Sequence, residues 1–314
     1  MRHIRHVFAW LGGITFIAIC VVVIAGFIVR ARMVPELERS IFVTQSPSTA
    51  TPQTYGVAYQ KIKIDSGGRV LQAWTVNAGT GTPALLLFHG NGETIHDFAQ
   101  VQAYLFRHHV SSMSFDYSGF GASTGKPTIR NLNQDATAAW RTFAKWAGST
   151  HPEFALGYSL GTGVVLHNVH AFAPQPLGLI VYGAFSSAKR LVDYISPNQP
   201  RWMIAIMPDL WDNVEAAEGL RQPLLVVAGM DDTNVPPIMG RQIALFAEAA
   251  NPRSGFVLAP GVGHGGIINH MDSVWPPILA FVQELTTAKV GSSKPEPTPA
   301  RSSDPAAATS APGD

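Results

Sequence analysis

Six short, largely apolar runs, separated by longer segments of helical character, constrain the fold of this chain more than any other feature. The runs lie at 84–88, 110–115, 154–156, 179–181, 224–228 and 256–258. Strands buried on both faces of a parallel sheet have this pattern, because helices cover both of their faces. The segments 134–146 and 237–250 are long enough for crossover helices. The sequence therefore predicts one doubly wound, mostly parallel α/β domain.

An antiparallel hairpin is predicted at the start of this domain. Residues 61–64 and 70–76 have strand character and flank the turn sequence Asp65-Ser66-Gly67-Gly68. A chain of 314 residues can hold one large α/β domain or two modest ones. The continuous pattern favours a single domain over residues 55–288.

Residues 7–29 contain no charged side chain, and as a helix they would be about 34 Å long, enough to cross a bilayer. A cleaved signal peptide is the rival interpretation, but the apolar stretch is too long and ends without a small-residue cleavage pattern. We therefore predict an N-terminal membrane anchor over residues 1–32. Arginines lie on both sides of it, so charge does not decide its orientation. The short N-terminal tail favours a domain outside the cytoplasm.

Composition limits the partners and the ends of the chain. A net charge of +1 offers no field for a nucleic-acid backbone. Cys20 is the only cysteine, which excludes an internal disulfide and a cysteine-built zinc site. Residues 33–54 are predicted to be a linker, and residues 289–314, rich in Pro, Ala and Ser, a disordered tail.

The sequence Gly157-Tyr158-Ser159-Leu160-Gly161 follows the run at 154–156 and precedes a helix-compatible segment. A strand, a sharp turn and a helix would expose Ser159 as a nucleophile, and the glycines would give the turn its room. The same pattern occurs around Ser123, but there Lys126-Pro127 follows and indicates a loop. Ser159 is therefore the candidate nucleophile.

A serine nucleophile needs a base, and His264 lies between glycines in the loop after the last apolar run. His270 is the second candidate. The base needs a carboxylate to orient it, and Asp231 and Asp232 follow the run at 224–228. The spacing to Val235-Pro236 favours Asp232, and Asp209 and Asp212 are weaker candidates.

An oxyanion on the attacked carbonyl needs backbone N–H donors. Leu160, directly after the nucleophile, supplies one, and Asn91 in His89-Gly90-Asn91-Gly92 is expected to supply the other. His89 is expected to brace this loop. The order Ser159, Asp232, His264 is the one that α/β hydrolases use.

These motifs resemble the serine-hydrolase branch of the α/β hydrolase superfamily over about residues 55–286. The loop Asp116-Tyr117-Ser118-Gly119-Phe120-Gly121-Ala122-Ser123-Thr124-Gly125-Lys126-Pro127 and the following 131–140 stretch are most similar to membrane-associated members, which include depalmitoylases and monoacylglycerol-lipase-like enzymes. The resemblance implies an α/β-hydrolase fold and acyl-transfer chemistry. In this fold residues 186–223 would form a small cap over the site. The depalmitoylase relatives reach the membrane through a lipidated, cysteine-rich N-terminus, where this chain has a hydrophobic span.

The sequence thus predicts a membrane-anchored serine hydrolase that acts on esters or thioesters with an apolar, lipid-like acyl group. It needs no cofactor and no metal. A serine peptidase of the aminopeptidase or prolyl type would use the same three residues, with acidic groups to hold a substrate amine. A non-catalytic, membrane-tethered binding module is the alternative from another class. The oligomeric state is not indicated.

Overall fold

In a computed structural model, the structure describes residues 41–148, 151–201 and 210–292, together with Gly26, Arg32 and Ile204. Its centre is an eight-stranded sheet with the order β1-β2-β4-β3-β5-β6-β7-β8. The strands are β1 Gln60–Ser66, β2 Arg69–Val76, β3 Ala84–Phe88, β4 Ser111–Phe115, β5 Glu153–Tyr158, β6 Gly178–Tyr182, β7 Leu224–Gly229 and β8 Gly255–Ala259.

The strand directions confirm the predicted fold class. β1 pairs antiparallel with β2, with Gln60 opposite Thr75, and β2 pairs antiparallel with β4. From β4 to β8 every neighbouring pair is parallel. The carboxyl ends of these strands therefore meet at one edge, where reactive groups collect in open α/β sheets.

The helices connect the strands and cover both faces of the sheet. They are α1 Ala99–Arg107, α2 Ile129–Ala147, α3 Leu160–Asn168, α4 Ala188–Ile195, α5 Asn213–Glu218, α6 Pro237–Ala250, α7 Gly266–Asn269 and α8 Met271–Ser292. Two 3-10 turns, Pro52–Tyr55 and Val169–Ala171, complete the described elements.

The central strand β3 shows why its sequence is apolar throughout. Leu86 and Phe88 pack into the core beneath α2, α3 and α6, whereas Leu85 and Leu87 pack into the core beneath α1 and α8. Successive side chains of a strand point to opposite faces, so a strand covered on both sides must be apolar at every position.

The segment before the domain differs from its prediction. Residues 41–54, expected as a linker, pack along the domain: Pro52 is buried, and His96 Nδ1 lies 2.8 Å from the Ala50 carbonyl oxygen. Many of the contacts of this segment are made by backbone groups, which every residue type has. Its composition therefore gave no sign that it packs on the domain.

The predicted anchor at residues 7–29 lies outside the described residues. Among the residues that the structure does describe, no helix is both long and apolar enough to cross a bilayer. At the other end α8 continues to Ser292, past the predicted domain boundary at 288. The remainder of the predicted tail lies outside the described residues.

Candidate active site

Ser159 occupies the sharp turn between β5 and α3. Its backbone has φ 50° and ψ −112°, a conformation that L-residues rarely adopt. A Cβ on Gly157 would collide with the backbone of Gly161, and a Cβ on Gly161 would collide with the backbone of Phe88. The two glycines of the motif are therefore required for α3 to pack this close to β3 and β5.

The structure brings Ser159, His264 and Asp232 together at the carboxyl edge of the sheet. His264 Nε2 lies 2.9 Å from Ser159 Oγ, and His264 Nδ1 lies 2.7 Å from Asp232 Oδ2. With the Nδ1 proton donated to the carboxylate, Nε2 is free to accept the serine proton.

The Asp232 carboxylate is itself fixed. It is 5% exposed, and its Oδ1 accepts hydrogen bonds from the backbone N–H groups of Asn234 at 2.9 Å and Val235 at 2.8 Å. Because Oδ1 is occupied, Oδ2 is the atom presented to the imidazole. The adjacent Asp231 is exposed, and its backbone N–H donates to Val262 O at 2.9 Å.

Ser123 and Asp212 make other contacts, and His270 ends a helix. Ser123 Oγ donates to Asp116 O at 2.8 Å and accepts from Gln72 N at 2.9 Å, so its hydroxyl stabilises a loop. Asp212 caps α5 by accepting from the Val214 and Glu215 N–H groups. His270 is an exposed residue that ends α7. Asp209 lies outside the described residues.

The two predicted oxyanion donors flank the serine. Leu160 is the first residue of α3, so its N–H has no partner within the helix and lies at the positive end of the helix dipole. Asn91 lies in the loop after β3 and, like Leu160, lines the cavity at Ser159. His89, at the start of that loop, is fully buried, with Nδ1 2.8 Å from the Gly90 carbonyl oxygen. Burial lowers the pKa of His89 to about 4, so the ring is neutral.

A cavity of about 1250 Å³ opens over Ser159 and His264. Its walls are mainly apolar and come from Ile41 and Phe42 before the domain, from described residues of the predicted cap, and from the loops and helix starts around the carboxyl edge of the sheet. The wall residues include Ile41, Phe42, Ile129, Phe185, Leu191, Val192, Ile195, Ile204, Leu210, Trp211 and Val235. Residues of the predicted cap thus line the cavity, whereas Trp202, Met203 and 205–209 lie outside the described residues.

Three residues at the site were not predicted from the sequence, and two of them lie beside His264 and its loop. Gly183, directly after β6, has φ 61°, and a Cβ there would lie 3.0 Å from the His264 ring. The Tyr182 hydroxyl donates to the Gly263 carbonyl at 2.7 Å and so holds the histidine loop. The sequence signal for Gly183 was a glycine shortly after the apolar run at 179–181, a position where another part of the chain can come close to the backbone.

Glu93 is the other unpredicted feature of the cavity. Its Oε2 is buried and has no hydrogen-bond partner among the described residues. Burial, with a smaller contribution from the nearby Asp97 charge, raises the pKa of Glu93 to about 8. The carboxyl group is therefore mostly neutral at pH 7. Within the described ranges, no group of three or more His, Cys, Asp or Glu side chains could hold a metal ion.

Comparison with known proteins supports the fold. Residues 81–215 match the profile of the family described as serine aminopeptidase, S33. The Pyrococcus furiosus esterase Pf2001 superposes with a TM-score of 0.64 at 14% identity, over 77% of this chain and 100% of that one. At this identity the likeness concerns the fold.

Sequence relatives are found in bacteria and eukaryotes. An uncharacterised Mycobacterium tuberculosis protein is 29% identical over 188 residues, 60% of this chain and 64% of that protein, so the match spans just under two thirds of its length. An uncharacterised membrane protein of Saccharomyces cerevisiae is 25% identical over 74% of this chain and 83% of its own. Human α/β hydrolase domain-containing protein 17B is 27% identical over 65% of this chain and 68% of its own. The sheet topology is that of the α/β-hydrolase fold, and the matched profile and these relatives make the chain similar to members of the α/β hydrolase superfamily.

Proposed function

We propose that the chain is a serine hydrolase that cleaves carboxylic esters or thioesters through an acyl-enzyme on Ser159. The observation that carries the proposal is the hydrogen-bonded series Ser159, His264 and Asp232 at the floor of an apolar cavity. A serine hydroxyl is a weak nucleophile until a base removes its proton, and the 2.9 Å contact with Nε2 is within proton-transfer distance.

In the proposed reaction, Ser159 Oγ attacks the carbonyl carbon and its proton passes to His264 Nε2. The imidazolium is stabilised by the Asp232 carboxylate, and the N–H groups of Leu160 and Asn91 hold the oxyanion. The tetrahedral intermediate collapses when the leaving alcohol or thiol takes the proton from Nε2. Water then attacks the acyl-enzyme with the same base, releasing the carboxylic acid and restoring Ser159.

The substrate is proposed to carry an apolar acyl group. Pockets that bind small molecules are lined mainly by hydrophobic residues with few polar groups. The cavity has this character, with aliphatic side chains of Leu191 and Val192 on one side and Ile41 and Phe42 on another. A lipid-like ester would place its chain against these walls and its carbonyl over Ser159.

Attachment to a membrane through residues 7–29, with the domain outside the cytoplasm, is part of the proposal. It is supported by the uncharged length of that stretch, and the yeast relative is named a membrane protein. Membrane association that resists high salt and alkaline carbonate, and is released by detergent, would support a spanning anchor.

A peptidase that removes N-terminal residues is the second candidate. It is favoured by the matched family's description and by Glu93, which lines the cavity and whose carboxyl group would ionise on pairing with a substrate ammonium group. Hydrolysis of aminoacyl nitroanilides in preference to nitrophenyl esters would support this candidate over the esterase.

The direct test is hydrolysis of nitrophenyl esters from acetate to palmitate by the full chain. We expect turnover with a preference for the longer chains, abolished in Ser159→Ala because, among the residues that the structure describes, no other hydroxyl is paired with His264. Fluorophosphonate labelling should be lost in Ser159→Ala and retained in Ser123→Ala. Labelling that depends on Ser123 would refute the assigned nucleophile, and a preference for acetate would refute the apolar acyl group.

A further inference from the structure

The segment 41–46, which we call the strap, runs across the loops that surround Ser159. Eleven residues, 30–40, separate it from the uncharged stretch at 7–29, and it precedes the sheet. Two of its side chains, Ile41 and Phe42, line the cavity. The strap also contacts the loop 89–92, which we call the oxyanion loop, the loop after β4 and the turn before α1.

The side chain of Asn91 makes two hydrogen bonds to the strap backbone. Its Nδ2 donates to Ile41 O at 2.7 Å, and its Oδ1 accepts from Val43 N at 2.9 Å. The next residue of the loop, Gly92, donates its N–H to Val43 O at 2.9 Å. Three hydrogen bonds therefore join the strap to the two residues that end the oxyanion loop.

The strap is in turn anchored at several further points. Thr44 O accepts from Gly121 N at 3.0 Å, and Ser46 Oγ donates to Asp97 Oδ1 at 2.8 Å. The Phe42 ring packs edge-to-face on Phe120 with centroids 6.1 Å apart. Phe120 is fully buried and packs on the ring of His89. The strap thus connects the oxyanion loop to fixed parts of the domain.

The oxyanion loop needs such support because of its sequence. Asn91 lies between Gly90 and Gly92, and Gly92 has φ 92°. Glycines on both sides give the peptide that carries the Asn91 N–H considerable conformational freedom. An oxyanion donor must be held to within about 0.5 Å of its productive position, and losing one donor costs on the order of 10²- to 10³-fold in kcat.

We propose that the strap is part of the catalytic apparatus, with the Asn91 side chain as a positioning residue that fixes its own backbone N–H in the oxyanion hole by binding the backbone of residues 41 and 43. This inference rests on the proposed function. It makes the segment that leads to the predicted anchor a structural component of the active site.

The test compares two asparagine variants in the full chain. Asn91→Ala removes the two bonds to the strap. Asn251→Ala removes the same two kinds of bond at the opposite edge of the sheet, where Nδ2 donates to Arg221 O at 2.7 Å and Oδ1 accepts from Arg253 N at 3.0 Å. We expect Asn91→Ala to lower kcat by about 10- to 100-fold with KM changed less than about twofold, because an oxyanion donor acts in the transition state. Asn251→Ala should leave kcat unchanged.

A second variant breaks the same contact from the strap side. Val43→Pro removes the backbone N–H that donates a hydrogen bond to Asn91 Oδ1. Little packing is lost, because Val43 is 54% exposed. If both changes act through one contact, the double variant will have about the kcat of Asn91→Ala alone. If the kcat losses of the two single variants multiply in the double variant, the proposal is overturned. It is also overturned if Asn91→Ala leaves kcat unchanged, if it changes only KM, or if Asn251→Ala lowers kcat by the same factor.

The outcome separates this inference from the proposed function. If the wild-type chain hydrolyses no ester, the proposed function fails. The rate at which a fluorophosphonate labels Ser159 still tests the strap, because negative charge develops on the phosphoryl oxygen in the same hole. Equal labelling rates for wild type, Asn91→Ala and Asn251→Ala, with thermal unfolding confirming folded protein, would refute the strap's role.

Discussion

Gly183 lies beside the edge of the His264 ring, and a side chain there would require the ring to shift by a few tenths of an ångström. A Cβ would lie 3.0 Å from Cε1 and 3.1 Å from Nδ1, and 3.6 Å from Asp232 Oδ2. These are the atoms around the 2.7 Å bond that orients the imidazole. The absence of a side chain at position 183 therefore leaves room for the His264 ring in the orientation that this bond requires.

We predict that Gly183→Ala lowers kcat by on the order of 10- to 100-fold, since a small displacement of the ring misaligns proton transfer. Gly148→Ala is the matched control, because Gly148 also has φ 61° but has no atom within 4 Å of a Cβ. Both variants should lose about 1–3 kcal/mol of stability, because an alanine at a positive φ strains the backbone. Steady-state kinetics and denaturant unfolding check this, and an equal loss of kcat in both would contradict it.

At this scale, the sequence located the residues whose signal is local. Ser159 and His264 lie in glycine-flanked turns directly after apolar runs, and the structure brings them within hydrogen-bond distance. Gly183 and Glu93 carry no comparable signal. Gly183 lies beside His264, and Glu93 has a buried carboxyl oxygen, only because folding brings together segments that are distant in sequence.

Among the elements, helix α4 of the predicted cap lines the cavity. None of its residues is buried, yet Leu191, Val192 and Ile195 line the cavity wall. A helix with an apolar face that covers an open cavity is suited to contact an acyl chain. Its side chains should therefore affect which chain lengths fit.

We predict that Val192→Trp reduces the ratio of kcat/KM for palmitate to that for acetate, because the indole fills space that a long chain needs. Ile238→Trp is the control: Ile238 lies on α6, is 61% exposed and does not line the cavity. Nitrophenyl ester kinetics give both ratios. A ratio that stays at the wild-type value in Val192→Trp would show that α4 does not contact the chain.

Strands and strap show what element-level patterns can and cannot predict. Burial on both faces requires an unbroken apolar run, so β3, β6 and β7 are visible in the sequence. The strap binds mainly through backbone groups of Ile41, Val43 and Thr44, which every residue type has. Its composition therefore indicated a linker, although its contacts make it part of the domain.

For the whole molecule, three buried carboxyl groups make stability depend on pH. Burial raises the pKa of Glu93 to about 8, and the pKa values of Asp116 and Glu153 to about 7. Above pH 4.5, the ordinary value for Glu93, the unfolded chain releases a proton that the folded chain retains. The free energy of unfolding therefore falls as the pH rises from 4.5 to about 8.

We predict that Glu93→Gln is stabilised relative to wild type by an amount that grows from pH 5 to pH 8.5. The amide has about the same size as the protonated acid and does not titrate. Glu284→Gln, at an exposed position on α8, is the control, with a difference that stays constant. Denaturant midpoints at several pH values measure this. A pH-independent difference for Glu93→Gln would contradict the neutral, buried carboxyl group.

The strap also limits where the proposed enzyme can work. If residues 7–29 span a membrane, only residues 30–40 lie between the bilayer and Ile41, and eleven residues reach about 40 Å at most when fully extended. Because Ile41 is bound to the oxyanion loop, this length is a tether radius for the catalytic centre itself. The enzyme would search for substrate in two dimensions, and its effective substrate concentration would be set by the surface density of esters in that membrane.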